Sequence, residues 1–171
     1  MSTLERVTKA LPLRAQPLTR EAFAPFGEVL QCAGAMQFPI NAGTTIRYHD
    51  LARIEALGSE ARVLFSLFEG QAWHSPVQIR LLERHPLGSQ AFFPLDGACM
   101  LIVVAAPGEL DERGIRAFIS NGDQGINYAA GVWHHPLLCL RRAGRFVVID
   151  RAGSGQNQEE RSLATPRQIS F

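Results

Sequence analysis

The run CMLIVVAA, Cys99 to Ala106, limits the possible folds more than any other segment of the chain. A bilayer-spanning helix needs about 20 apolar residues, so this run is too short to cross a membrane. It is short and β-branched, which reads as a strand, and a strand that is apolar at every position needs cover on both faces. VLFSLF, at residues 63–68, has nearly the same character. One face of such strands meets the domain's own core, and the other calls for a second sheet or a second subunit.

Further strands are predicted in TTIRYH, RVLFSLFEG, VQIRLLERH, QAFFPL, INYAA, PLLCL and RFVVIDR. All are short, rich in β-branched and aromatic residues, and divided by Gly, Pro, Asn or Asp. So many short strands in 171 residues predict a mainly β fold, a barrel or sandwich with a few short helices. The length suits a single domain over residues 1–171. LTREAFAPFGEVL predicts one short helix, with Thr19 as N-cap, Phe23 and Phe26 on one face and Gly27 as the stop, feeding a strand near Glu28–Cys32. A second helical segment is predicted in LDERGIRAFISNGDQG, where Ile115, Phe118 and Ile119 recur at helical spacing around a weakening Gly114. The polar tail after Asp150 is expected to lie along the surface.

Composition narrows the function classes. The net charge of +1, with basic and acidic residues interleaved, gives no footprint for nucleic acid or a membrane surface. Cys32, Cys99 and Cys139 show no CxxC spacing, and the latter two sit in apolar runs as small hydrophobes. That points to a reducing compartment. The first residues, MSTLERVTKALPLRAQPLTREAF, lack the continuous apolar core of a signal peptide. A soluble, cytoplasmic protein is expected.

The segment LLERHPLGSQAFFPLDG, Leu81 to Gly97, carries the chemistry. Strand alternation places Val77, Ile79, Leu81, Glu83 and His85 on one face, and Gln78, Arg80, Leu82 and Arg84 on the other. If the first face points into the core, Glu83 and His85 continue it toward one end. After the turn PLGS, Gln90, Phe92 and Pro94 share a face of the next strand, so Glu83, His85 and Gln90 converge at a barrel mouth. The segment alone fits two readings, a hydrogen-bonded rim histidine beside a salt-bridged Glu83, or a metal and substrate site. A second stretch, GINYAAGVWHHPLLCL, tips the balance. His134 and His135 are adjacent on an extended strand, so only one can enter the interior.

These two stretches resemble the two halves of the cupin signature. The resemblance implies a metal set of Glu83, His85, Gln90 and His134, with Gly97 closing the first half and Gly131 setting His134 as the inward histidine. Glu83 replaces the first histidine of the usual pattern and Gln90 replaces its carboxylate. Two imidazoles, a carboxylate and an amide oxygen suit a divalent ion such as Ni²⁺, Zn²⁺ or Mn²⁺.

RYHDLA, SLF, IRLLERHPLGSQAFFPL, GDQGINYAAGVWHHPLL and FVVIDR occur in order over most of the chain, and together they resemble the ureidoglycolate lyase family. That resemblance implies a homodimeric cupin-type barrel that converts (S)-ureidoglycolate to glyoxylate and urea in allantoin breakdown, with nickel as associated cofactor. Glu83, His85 and His134 supply acid–base and metal chemistry for such a cleavage. Arg47, on a strand face with Thr45 and His49, fits either a substrate-carboxylate ligand or a solvated strand face. Tyr48 and Gln90 are further candidate substrate ligands. Trp133 is expected to pack, and Asp150 fits either a reach into the site or, the favoured reading, a salt bridge with Arg151. No nucleophile elbow, phosphate loop or dinucleotide fingerprint competes. Two other readings stand beside the lyase: another metal-dependent cupin enzyme (an oxygenase or isomerase), and a non-catalytic small-molecule binder.

Overall fold

The computed structural model describes residues 9–171; the first part of the signal-peptide reading falls outside them. In chain order the first strands are β1 (Leu11–Pro12), β2 (Ala15–Pro17), β3 (Gly27–Leu30), β4 (Gln37–Ile40), β5 (Thr45–Tyr48), β6 (Arg62–Gly70), β7 (Ala72–Trp73) and β8 (Val77–Arg84). The second half adds β9 (Gln90–Pro94), β10 (Met100–Ala105), β11 (Arg116–Ile119), β12 (Gly125–Tyr128), β13 (Trp133–His134), β14 (Leu138–Leu140), β15 (Gly144–Ala152) and β16 (Glu159–Ile169). Helix is confined to α1 (Arg20–Phe23) and two 3₁₀ turns among the described residues. The Thr19 hydroxyl caps α1 by accepting from the Ala22 N–H at 3.2 Å. Gly27 follows at φ +140°, where a Cβ would lie 1.9 Å from the Asn127 carbonyl oxygen, so only glycine lets the chain turn from α1 into β3.

The larger sheet runs β1-β16-β8-β13-β10-β11-β2, with β14 on β10 and β7 on β14; the smaller runs β3-β12-β9-β15-β6. β1 and β2 stand at opposite ends of the larger sheet although only two residues separate them. Such a link spans roughly 10 Å, so the sheet curls until its edges nearly meet. Leu13, inside that link, packs on a core formed by Val77, Ile79, Leu101, Val103, Trp133 and Ile169. A second core, including Phe92, Met100, Ile102, Val104, Tyr128 and Phe146, lies between the two sheets. This is the mainly β, cupin-like arrangement predicted.

β10 explains the opening run. All six of its residues are buried: Met100, Ile102 and Val104 point into the inter-sheet core, Leu101, Val103 and Ala105 into the curl. Its two covers come from the same chain. β6 differs, because its outward row Val63, Phe65 and Leu67 is 52%, 70% and 66% exposed, and nothing among the described residues covers that face.

Two expectations are corrected and a third is extended. Ile115 is the extended residue after a 3₁₀ turn (Glu112–Gly114), and Phe118 and Ile119 lie on β11, so the segment is not an α-helix. Phe118 enters one core while Ile115 and Ile119 meet the other, so apolar residues on both faces of a strand imitated helical spacing. The tail does lie largely at the surface, but it also supplies β16, which pairs with both β8 and β1. The alternation of β8 also changes phase. β16 bulges between Arg167, opposite Ile79, and Ser162, opposite Leu81. Beyond it Leu82, not Leu81, joins Val77 and Ile79 in the curl, and Glu83 falls on the opposite, inter-sheet face.

Candidate metal and substrate site

β13 is only two residues long but is bonded on both sides: His134 sits opposite Val104 of β10 and Glu83 of β8. Val104, His134 and Glu83 thus form one row facing the smaller sheet. Trp133 faces the other way, its indole N–H donating to the Gly108 carbonyl and its ring under the Arg84 guanidinium at 4.5 Å. Gly131, at φ +79°, donates its N–H to the His85 carbonyl at 2.9 Å, tying the turn before β13 to the end of β8.

Across from this row the smaller sheet presents another. Tyr128 of β12 pairs with Gln90 of β9, and the β9–β15 register, which joins Ala91 to Ile149, carries Gln90 to Asp150 one step further. Tyr128 stacks on the His134 ring, and the His85 ring lies 5.2 Å from it. One nitrogen or oxygen from each of Glu83, His85 and His134 lies within 4.8 Å of the others.

Each of the three is fixed through its second polar atom. His85 Nδ1 lies 2.7 Å from the Asn157 carbonyl oxygen, and His134 Nδ1 lies 3.0 Å from that of Val132. A carbonyl only accepts, so both rings carry a proton on Nδ1 and turn Nε2 inward. Both Nε2 atoms are buried and without a partner. Gln158 donates to Glu83 Oε2 at 3.1 Å, leaving Oε1 facing His134 Nε2 at 3.7 Å. Burial, reinforced by the charges of His85 and His135, pushes the His134 pKa down to about 3 despite the opposing Val132 hydrogen bond. His134 is therefore neutral, and the close approach to Glu83 is not an ion pair. Two electron-pair donors face each other with no proton between them, an arrangement that a cation satisfies. Burial, and then the charge of Glu83, raises the Tyr128 pKa and keeps its phenol protonated. Glu83, His85 and His134 can hold a metal ion.

His85 connects this group to a cavity of about 280 Å³ whose walls include Ser89, Gln90, Asp150, Asn157 and Gln158. The structure thus brings Glu83, His85, His134 and Gln90 to one place. His135 stays outside, its Nδ1 2.9 Å from the Pro136 carbonyl. Arg47 and Tyr48 do not line this cavity; they are exposed on the separate β4–β5 hairpin. The expected Asp150–Arg151 pair does not form. The Arg151 guanidinium donates to the carbonyls of Leu57 and Ser154 at 2.7 Å each, while Asp150 lines the cavity. Asp150 was legible, since Phe146 and Val148 point inward and the alternation lands on it. Asn157 and Gln158 lie in a polar tract with no pattern to mark them.

Comparison with known proteins agrees with the geometry. The family model described as ureidoglycolate lyase matches residues 10–170. A protein of Burkholderia mallei (strain NCTC 10229) named ureidoglycolate lyase is 53% identical over 151 residues, covering 88% of this chain and 89% of that one. One of Brucella ovis (strain ATCC 25840 / 63/290 / NCTC 10512) with the same name is 53% identical over 148 residues, 86% of this chain and 88% of its own. With a match from one end of the described fold to the other, spanning every residue of the two facing rows, the chain belongs to the ureidoglycolate lyase family.

Proposed function

We propose that this protein cleaves (S)-ureidoglycolate to glyoxylate and urea, in the cytoplasm, as a step of allantoin breakdown, with the reacting centre at Glu83, His85 and His134. The observation that carries the reading is the convergence of two imidazole Nε2 atoms, both buried and without a partner, and a carboxylate oxygen on one point beside a polar cavity.

Cleavage of this carbinolamine moves one proton. The C2 hydroxyl loses it as the carbonyl of glyoxylate forms, and the departing urea nitrogen gains it. A divalent ion, Ni²⁺ by family resemblance, would supply Lewis acidity toward that hydroxyl. Glu83 is the carboxylate placed to accept the proton and return it to nitrogen, with Gln158 fixing its other oxygen. His85 and His134 are held to a single tautomer and orientation by Asn157 and Val132, so their lone pairs need no reorganisation. Gln90 brings an amide from the facing sheet, whose oxygen suits the metal and whose N–H₂ suits a substrate oxygen.

The functional unit we propose is a homodimer. The exposed row Val63, Phe65 and Leu67, extended by Phe93 at 40% exposure, gives β6 and its neighbours an apolar outer face suited to a subunit contact. The β4–β5 hairpin leaves Phe38, Ile46 and Tyr48 exposed as well. Arg47 and Tyr48 would bind the substrate carboxylate from this hairpin across a subunit contact. The deciding assay supplies racemic ureidoglycolate and measures products. Urea and glyoxylate in equal amounts from one enantiomer are expected. Ammonia released in step with glyoxylate would mean an amidohydrolase instead.

A further inference from the structure

Asp150 is the one acidic side chain of the cavity wall that the proposed reaction leaves unused. β15 sends Phe146 and Val148 into the inter-sheet core and Asp150 onto the same inward face, beside Gln90. Its Oδ1 is buried and has no hydrogen-bond partner. The nearest cation in sequence, Arg151, is committed to backbone carbonyls, and no salt bridge reaches Asp150 among the described residues. A carboxylate oxygen removed from water with nothing in exchange is costly unless a ligand completes it. Asp150 also stands outside the group whose donor atoms cluster for a metal. What completes it must bring N–H or O–H donors into a cavity already bounded by His85 and Gln90.

We propose that Asp150 is the specificity residue for the ureido end of the substrate, its carboxylate accepting two parallel hydrogen bonds from the ureido N–H and the terminal NH₂. A ureido group presents two N–H bonds side by side, as a guanidinium does, and matches a carboxylate in the same forked geometry. The pairing reads both nitrogens at once. It therefore separates ureido acids from simple amides and from 2-hydroxy acids, and it holds the scissile nitrogen at a fixed place relative to Glu83. The inference rests on the lyase reading for where the substrate lies.

The test is a binding comparison that requires no turnover. N-carbamoylglycine keeps the ureido group and the carboxylate but lacks the hydroxyl; N-acetylglycine replaces the terminal NH₂ by a methyl group. Calorimetry on the full-length wild-type protein and on Asp150→Asn, with metal content and circular dichroism measured on both, gives four dissociation constants. The wild type should prefer N-carbamoylglycine by about tenfold or more. Asp150→Asn should reduce that preference to about twofold or less, by weakening the carbamoyl ligand alone. A wild type without preference, or a variant that keeps it, overturns the proposal. Loss of turnover in Asp150→Asn with the preference intact also overturns it, since that result marks a proton-transfer group. Urea and glyoxylate production by the wild type judges the lyase reading separately.

Discussion

Tyr128 lies flat on His134, ring centroids 4.2 Å apart and planes 13° from parallel. The two rings come from different sheets, so the imidazole is clamped between its own strand and the facing one. Together with the Val132 hydrogen bond, this stack fixes the direction of the free lone pair. Tyr128→Leu should therefore weaken metal binding by about tenfold or more, measured by competition with a chromophoric chelator. Tyr128→Phe keeps the ring and should stay close to wild type. If Phe is as damaging as Leu, the hydroxyl and not the stack is what matters.

His134→Ala and His135→Ala make a matched pair one residue apart. His134 faces Glu83 within the cluster, whereas His135 turns to the Pro136 carbonyl. His134→Ala should lower kcat by more than about 10²-fold and lose metal, with the circular dichroism spectrum unchanged. His135→Ala should retain much more of both. A dead, metal-free His135→Ala beside a nearly normal His134→Ala would force the site to be rebuilt around the other ring.

Acid should destabilise the chelator-treated protein through His134. Its pKa is about 3 in the fold against an ordinary 6.5, so the unfolded chain takes up the proton first as pH falls. The contribution to stability is complete above 6.5 and is lost as pH drops toward 3, at up to roughly 1.4 kcal/mol per pH unit. Denaturant melts across that window should show a shallower pH slope for His134→Gln than for wild type. Equal slopes would assign the acid sensitivity to other groups.

Arg47→Lys keeps the charge but loses the fork that matches a carboxylate. It should raise KM more than it lowers kcat, because the lost contact serves ground state and transition state alike. Kinetics indistinguishable from wild type would leave Arg47 as a solvated residue of the hairpin.

Phe65 and Leu67 stand side by side on the uncovered face of β6. If this face makes the proposed homodimer, wild type should sediment as a dimer and Phe65→Glu as a monomer, at little cost to the fold, since the side chain is already 70% exposed. A monomeric wild type would overturn the dimer, and a variant with the sedimentation coefficient of a dimeric wild type would rule this face out as the contact.

The sequence is most readable where one face of a strand differs from the other. β15 alternates between buried and more exposed residues from Gly144 to Val148, and it matches its predicted segment. β11 was misread because its two faces meet two different cores, which erases the two-residue period that marks a strand. β16 was missed for the opposite reason, since only Leu163, Arg167 and Ile169 of its eleven residues are buried. Glu83 is the instructive case. Alternation from Val77 placed it on an inward face, but the bulge in β16 reverses the phase of β8 beyond Ile79. Glu83 points into a core, though not the core that holds Val77. The motif spacing named the residue, and a pairing partner more than seventy positions away decides where it points.

That dependence has a consequence for how the enzyme comes into being on the ribosome. Asn157 reaches back 72 positions to His85, Gln158 reaches 75 to Glu83, and Arg167 pairs with Leu11. A nascent chain that has emerged as far as Asp150 already carries all three metal-ligand candidates and both sheets' central strands. It still lacks the groups that aim Glu83 and His85, and the strand that closes the curl against β1. Synthesis therefore exposes the donors well before it can orient them, and the partners that do so emerge more than seventy residues after His85 and Glu83.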